Sequence, residues 1–111
     1  MIEFKPNIVD ETVQYQAVEN SEAVGRITLT FHQTESAVKF IEATDDETAE
    51  GLIRSALNAA ANRGAYTCTY EPTEFVSVAV LLGFETKNGK LSGEIPFLLA
   101  GHCCKTQQNG K

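Results

Sequence analysis

The sequence predicts an α+β fold of α/β-like character, a mixed and mostly antiparallel sheet with helices on both faces. Two observations carry that prediction. Residues 12–43 hold three segments of strand periodicity with no helix among them, and residues 36–84 then run strand, long amphipathic helix, short strand and second helix. An Asn-Gly pair between short apolar segments adds a hairpin further on.

At 111 residues and 42% hydrophobic, the chain supports a single domain, 1–111, with one modest core. Its formal charge of −6 repels phosphate backbones and anionic lipid. The nine Lys and Arg residues are scattered, so neither nucleic acid nor a membrane is an expected partner. The opening MIEFKPNIVDE has no basic segment followed by an apolar one, and no apolar run reaches bilayer length. A cytoplasmic location follows as an expectation. Cys68, Cys103 and Cys104 are an odd count with two adjacent, a poor framework for disulfides, so reduced thiols are expected.

The elements follow in order. Val13, Tyr15 and Ala17 alternate with Gln14 and Gln16, which predicts a half-buried first strand over 12–18. Ile27, Leu29 and Phe31 alternate with Arg26, Thr28 and Thr30 in a second strand, and Gly25 permits a bulge near its start. Residues 37–43 (AVKFIEA) form a third strand, apolar on both sides and therefore central. Ala49, Leu52, Ile53, Ala56, Leu57 and Ala60 make one stripe at three-and-four spacing, predicting a helix over Asp46–Asn62. Thr44 with Glu47 fits a capping box, and Gly64 supplies the stop. Tyr66, Cys68 and Tyr70 mark a strand over 65–70 that Pro72 ends. Phe75, Val78, Ala79 and Leu82 give a second helix over 73–82, closed by Gly83. The hairpin around Asn88-Gly89 comes next, then a short helix opened by Pro96 with Ile95, Leu98 and Leu99 inward. A polar tail, 105–111, is expected to fray.

This succession, with the step AVKFIEATDDETAEGLIRSALNAAANRG and the helix ending AVLLGF, resembles the C-terminal architecture of the GNAT N-acetyltransferase superfamily over residues 12–86. The resemblance implies an acetyltransferase-like protein that binds acetyl-CoA between the strands 37–43 and 65–70. Backbone groups around Ile41 and Ala43 would hold the pantetheine arm, and an amine would attack the thioester directly. Gly51 and Arg54, near the start of the long helix, are the candidates for the pyrophosphate.

Three departures stand against that implication. The family's phosphate loop, Arg/Gln-x-x-Gly-x-Gly/Ala, falls on Ala49, Leu52 and Arg54, with Gly51 one residue out of register and Asp45, Asp46, Glu47 and Glu50 clustered where phosphates would sit. The position of the family's proton-donating Tyr is Ala79, leaving water, Tyr66 or Tyr70 for that role. The family's first strand and two following helices have no evident counterpart in the first eleven residues.

Other groups are weaker. Glu42 is a conceivable general base but reads as an outward strand carboxylate, and His32 beside Glu35 reads as a surface turn residue. His102-Cys103-Cys104 lacks the spacing of a zinc site, so no metal is expected. No catalytic residue is assigned. Two classes therefore remain: an acetyl-CoA-dependent N-acetyltransferase, or a non-catalytic module of the same fold acting as a homodimer, partner binder or small-ligand binder. An uncovered sheet face makes self-association the expected form of partnership.

Overall fold

The computed structural model describes residues 2–9 and 11–100. Seven strands form one sheet: β1 (Ile2–Val9), β2 (Thr12–Glu19), β3 (Glu22–His32), β4 (Glu35–Ala43), β5 (Thr67–Tyr70), β6 (Glu85–Lys87) and β7 (Lys90–Glu94). Helices α1 (Asp46–Asn62), α2 (Val76–Leu82) and α3 (Ile95–Leu99) complete the fold. The sheet order is β1-β2-β3-β4-β5-β7-β6. Every pairing is antiparallel except β4 with β5, the pair that α1 connects. That exception follows from chain geometry, since parallel neighbours need a long crossover whereas antiparallel ones can be joined by a tight turn.

The tight turns have the residues they require. Asn20 and Ser21 (φ 54° and 69°) join β2 to β3, and Asn88 and Gly89 (φ 54° and 80°) join β6 to β7. Paired positive φ values match the right-handed twist of the flanking strands. Both longer helices end in the same way. Gly64 (φ 96°) follows α1, with Gly64 N–H donating to the Ala61 carbonyl and Ala65 N–H to that of Ala60. Gly83 (φ 122°) follows α2, with Gly83 N–H donating to Val80 and Phe84 N–H to Ala79. These are Schellman closures, and the second one turns Phe84 into the core against Tyr70, ring centroids 5.7 Å apart.

The predicted stripe of α1 is buried in full, and it meets Val13, Ala17, Ile27, Leu29, Val38 and Ile41 from the strands. Each such Leu or Ile contributes about 1.5–3 kcal/mol on burial. The mixed, mostly antiparallel sheet with packed helices is as predicted, and both α2 and α3 contact α1. Two expectations need correction. The first residues form β1, an edge strand whose Phe4 turns toward α1, while Lys5, Pro6 and Asn7 are exposed. Pro6 is tolerated there because an edge strand need not donate on both sides. The second helix begins at Val76 rather than 73, since Phe75 adopts the left-handed conformation (φ 56°) and no side chain caps the helix. The tail 105–111 lies outside the described residues.

Candidate functional site

The strands β4 and β5 run together only from Glu35↔Thr67 to Val38↔Tyr70. The Glu71 N–H then donates to the Val38 carbonyl at 3.1 Å, β5 ends, and β4 continues to Ala43. Residues 39–43 thus present one backbone edge with no strand opposite among the described residues. The divergence has a local cause. On the β3 side Leu29 pairs with Val38 and Thr28 with Phe40, leaving Lys39 as an extra residue. Such a bulge bends and twists its strand. At the point of divergence the Lys39 ammonium binds both Glu71 carboxylate oxygens (3.0 and 2.9 Å), and the Tyr70 hydroxyl donates to the Glu74 carbonyl at 2.5 Å. The strained Phe75 backbone lies directly beyond.

Ile41 and Ala43 both lie on this extended part of β4. The Ile41 side chain is buried against α1, so only its backbone is available to a ligand, and Ala43 is half-buried. Gly51 and Arg54 lie together elsewhere, on the flank of α1, in a depression of about 540 Å³ that Phe4, Glu19, Glu47 and Glu50 also line. Gly51 faces the Phe4 ring so closely that a Cβ would collide with it, and Arg54 Nε binds Glu50 at 3.0 Å. Ala43 lines a separate depression of about 430 Å³ with Gly25, Glu42 and Thr44.

The α1 N-terminus is capped by Asp45, not Thr44. Asp45 Oδ1 accepts the Thr48 N–H at 2.8 Å, while the Thr44 N–H is tied to the Val24 carbonyl at 3.0 Å. Thr44, just past the end of β4, is thereby tied to β3, and the helix is capped by Asp45 in place of the expected Thr44–Glu47 box. The Thr48 N–H holds the Asp45 carboxyl below the usual carboxylate range. A carboxylate therefore already occupies the positive end of the helix dipole, with Asp46 and Glu47 in its first turn.

The remaining candidates are placed as follows. Ala79 is fully buried, and Tyr66, half-exposed, sits outside β5 with its hydroxyl 3.5 Å from Glu94. Tyr70 is in the core, and burial, followed by the Glu74 charge, pushes its hydroxyl up to about 12. Burial likewise pushes the Cys68 thiol up to about 11. Glu42 binds Arg26 Nε at 3.2 Å on the helix-free face, and His32 Nδ1 lies 2.9 Å from Glu11. His102, Cys103 and Cys104 lie outside the described residues. Among the described residues no cluster of His, Cys, Asp and Glu could hold a metal ion, and no helix is long and apolar enough to cross a membrane.

Sequence reasoning missed the Lys39–Glu71 bridge and the bulge. A signal existed in the sequence: Val38 and Phe40 alternate around Lys39, but Ile41 follows Phe40 directly, and the structure buries Ser36, Val38 and Ile41.

No family model matches the chain, and no curated protein sequence matches it. Solved structures do. The aminoglycoside 6'-N-acetyltransferase from Enterococcus faecium superposes with a TM-score of 0.65 at 14% identity, over 77% of this chain and 73% of that one. Gcn5 from Tetrahymena gives 0.62 at 12% identity, over 77% and 69%. The PaiA N-acetyltransferase from Thermoplasma acidophilum, determined in complex with coenzyme A, gives 0.62 at 16% identity, over 76% and 60%. The chain has the fold of the GNAT N-acetyltransferases.

Proposed function

We propose that the chain is an acetyltransferase-like protein that takes the thioester arm of acetyl-CoA along the unpaired edge of β4 and serves transfer of the acetyl group to an amine. The observation that carries this reading is the divergence of β4 from β5 at the Lys39 bulge, which leaves the backbone of 39–43 available to an extended, amide-bearing chain. The coenzyme A complex of a protein of the same fold supports the choice of cofactor. Acetyl-CoA would supply an acetyl carbonyl activated by its thiol leaving group. The chain's own part is positioning, with Ile41 and Ala43 contributing backbone groups and Lys39–Glu71 bracing the divergence.

The two ends of the cofactor meet different surroundings. The arm fits a bare strand edge. The diphosphate does not fit the α1 N-terminus, where it would have to displace Asp45 from Thr48 beside Glu47 and Glu50, with Arg54 already paired to Glu50. This mismatch favours a second reading, a non-catalytic module of the same fold that binds a partner, a small ligand or a second copy of itself. The outer side of α2, where Val80 and Leu81 are exposed among the described residues, supports the self-association expected from the sequence.

Thermal unfolding with acetyl-CoA, with coenzyme A and with ATP separates the two. Ligand at a hundredfold its dissociation constant stabilises by about 2.7 kcal/mol. The first reading expects a rise with acetyl-CoA and coenzyme A but not ATP. No rise at millimolar ligand leaves the second.

A further inference from the structure

The helix-free face of β1–β4 carries two cross-strand rows. Register places Asn7, Gln14, Thr28 and Phe40 in one and Lys5, Gln16, Arg26 and Glu42 in the other. Between them lies a depression of about 450 Å³, bounded by Lys5, Asn7, Gln14, Gln16, Arg26 and Phe40. Among the described residues no Asp or Glu lines it. That is unusual in a chain of net charge −6, whose depressions on the α1 flank and beside Glu42 both carry glutamates.

The two cations stand on either side of Gln16, two strand spacings or about 10 Å apart at the backbone. Each is only loosely committed. Lys5 Nζ lies 3.7 Å from Glu3, and Glu42 engages Arg26 through Nε, which leaves both Nη groups for another acceptor. These pairs are all more than 60% exposed, and exposed pairs are weak enough to exchange partners. Phe40 is 43% exposed, and the Arg26 guanidinium carbon sits 5.2 Å from its ring centroid, so the cation is held over an apolar surface. The carboxamides of Asn7, Gln14 and Gln16 can each donate and accept. Two available cations without a lining carboxylate, beside an exposed ring and three neutral amides, complement a molecule with a carboxylate at one end and a flat apolar body.

We propose that this depression binds a small organic acid, its carboxylate set between Lys5 and Arg26 and its apolar body laid on Phe40. This inference stands apart from the thioester reading, because on β4 it uses the Phe40 side chain and not the backbone edge of 39–43, and it does not use the α1 start.

The test is a titration of the isotope-labelled chain, followed by backbone amide shifts, with phenylacetate and two close analogues, neutral phenylacetamide and cationic phenethylamine. Phenylacetate should perturb amides confined to the lining segments 5–7, 14–16, 26–28 and 40, phenylacetamide should bind at least about fivefold more weakly, and phenethylamine should not bind there. Arg26→Gln and Lys5→Gln should each weaken phenylacetate about threefold to fivefold without moving the melting midpoint, since both are surface replacements. Equal binding of acid and amide, perturbations centred outside those segments, or no perturbation at about 10 mM phenylacetate would overturn the proposal.

Discussion

Cys68 and Tyr70 point to the same side of β5 and are both neutral in the fold, because burial raises the cost of ionising either. For a group whose folded pKa is raised above its unfolded value, the stabilisation is complete below the unfolded pKa. It is lost as pH climbs through the folded one. The Tyr70 contribution is therefore intact below about pH 10 and disappears as pH rises through about 12, and Tyr70→Phe should remove the corresponding phase from an alkaline absorbance titration. A hydroxyl with that pKa, already donating to Glu74, is also poorly matched to protonating a thiolate. The Cys68 thiol should react with alkylating agents at pH 8 only as fast as the fold opens, measured in a Cys103→Ser, Cys104→Ser background. Asp45 has the opposite sign. Its pKa is depressed, so its contribution exists above the unfolded carboxylate pKa and is lost as pH falls through the folded value. Asp45→Ala should lower the melting midpoint at pH 7, and the gap to wild type should close below about pH 4.

Among the elements, α1 was legible from sequence to its last residue, because six apolar positions on one stripe and a Schellman glycine leave no competing period. Its first residue, Asp46, was legible too, but its cap only to within one residue. Thr44 and Asp45 are both good caps, and what selects Asp45 is the bond from Thr44 N–H to Val24, a contact across the sheet that no local pattern encodes. The same limitation applies to the divergence of β4 and β5, where the adjacent apolar pair Phe40-Ile41 was visible but the pairing of Lys39 with Glu71 was not. The occupied helix start yields a prediction at this scale. If Asp45, Glu47 and Glu50 are what disfavours the diphosphate, then Asp45→Ser, Glu47→Gln, Glu50→Gln should bind acetyl-CoA about tenfold or more tightly than wild type, three like charges having been removed beside it. The Ser retains a cap, which keeps the helix start intact. Binding of S-acetylpantetheine, which lacks the diphosphate, should not change, and calorimetry with the two ligands separates a charge effect from a general one.

At the scale of the whole molecule, the part of the sheet that sequence did not reveal is β1, and the reason lies in tertiary packing. Ile2 and Phe4 alternate with Glu3 and Lys5, but Pro6 interrupts the run and the charged residues between are those of a solvated edge. Beyond its antiparallel ladder with β2, this strand meets α1 through the approach of the Phe4 ring to Gly51, where α1 has no side chain. Gly51 thus serves packing in the fold, a role its proximity to the phosphate-loop register concealed. A glycine inside a helix costs about 1 kcal/mol relative to Ala, so Gly51→Ala would stabilise α1 were the space open. With Phe4 in place the methyl group must displace the ring, at about 1–3 kcal/mol for overpacking, and the single variant should show no gain or a net loss in denaturant midpoint. In a Phe4→Ala background the obstruction is gone, and the same substitution should stabilise by about 1 kcal/mol. The coupling between the two sites is then about 1–3 kcal/mol, read directly from a double-mutant cycle. Additive effects would mean that β1 is not held to α1 at Gly51. A stabilising Gly51→Ala in the wild-type background would mean that the ring moves away without loss.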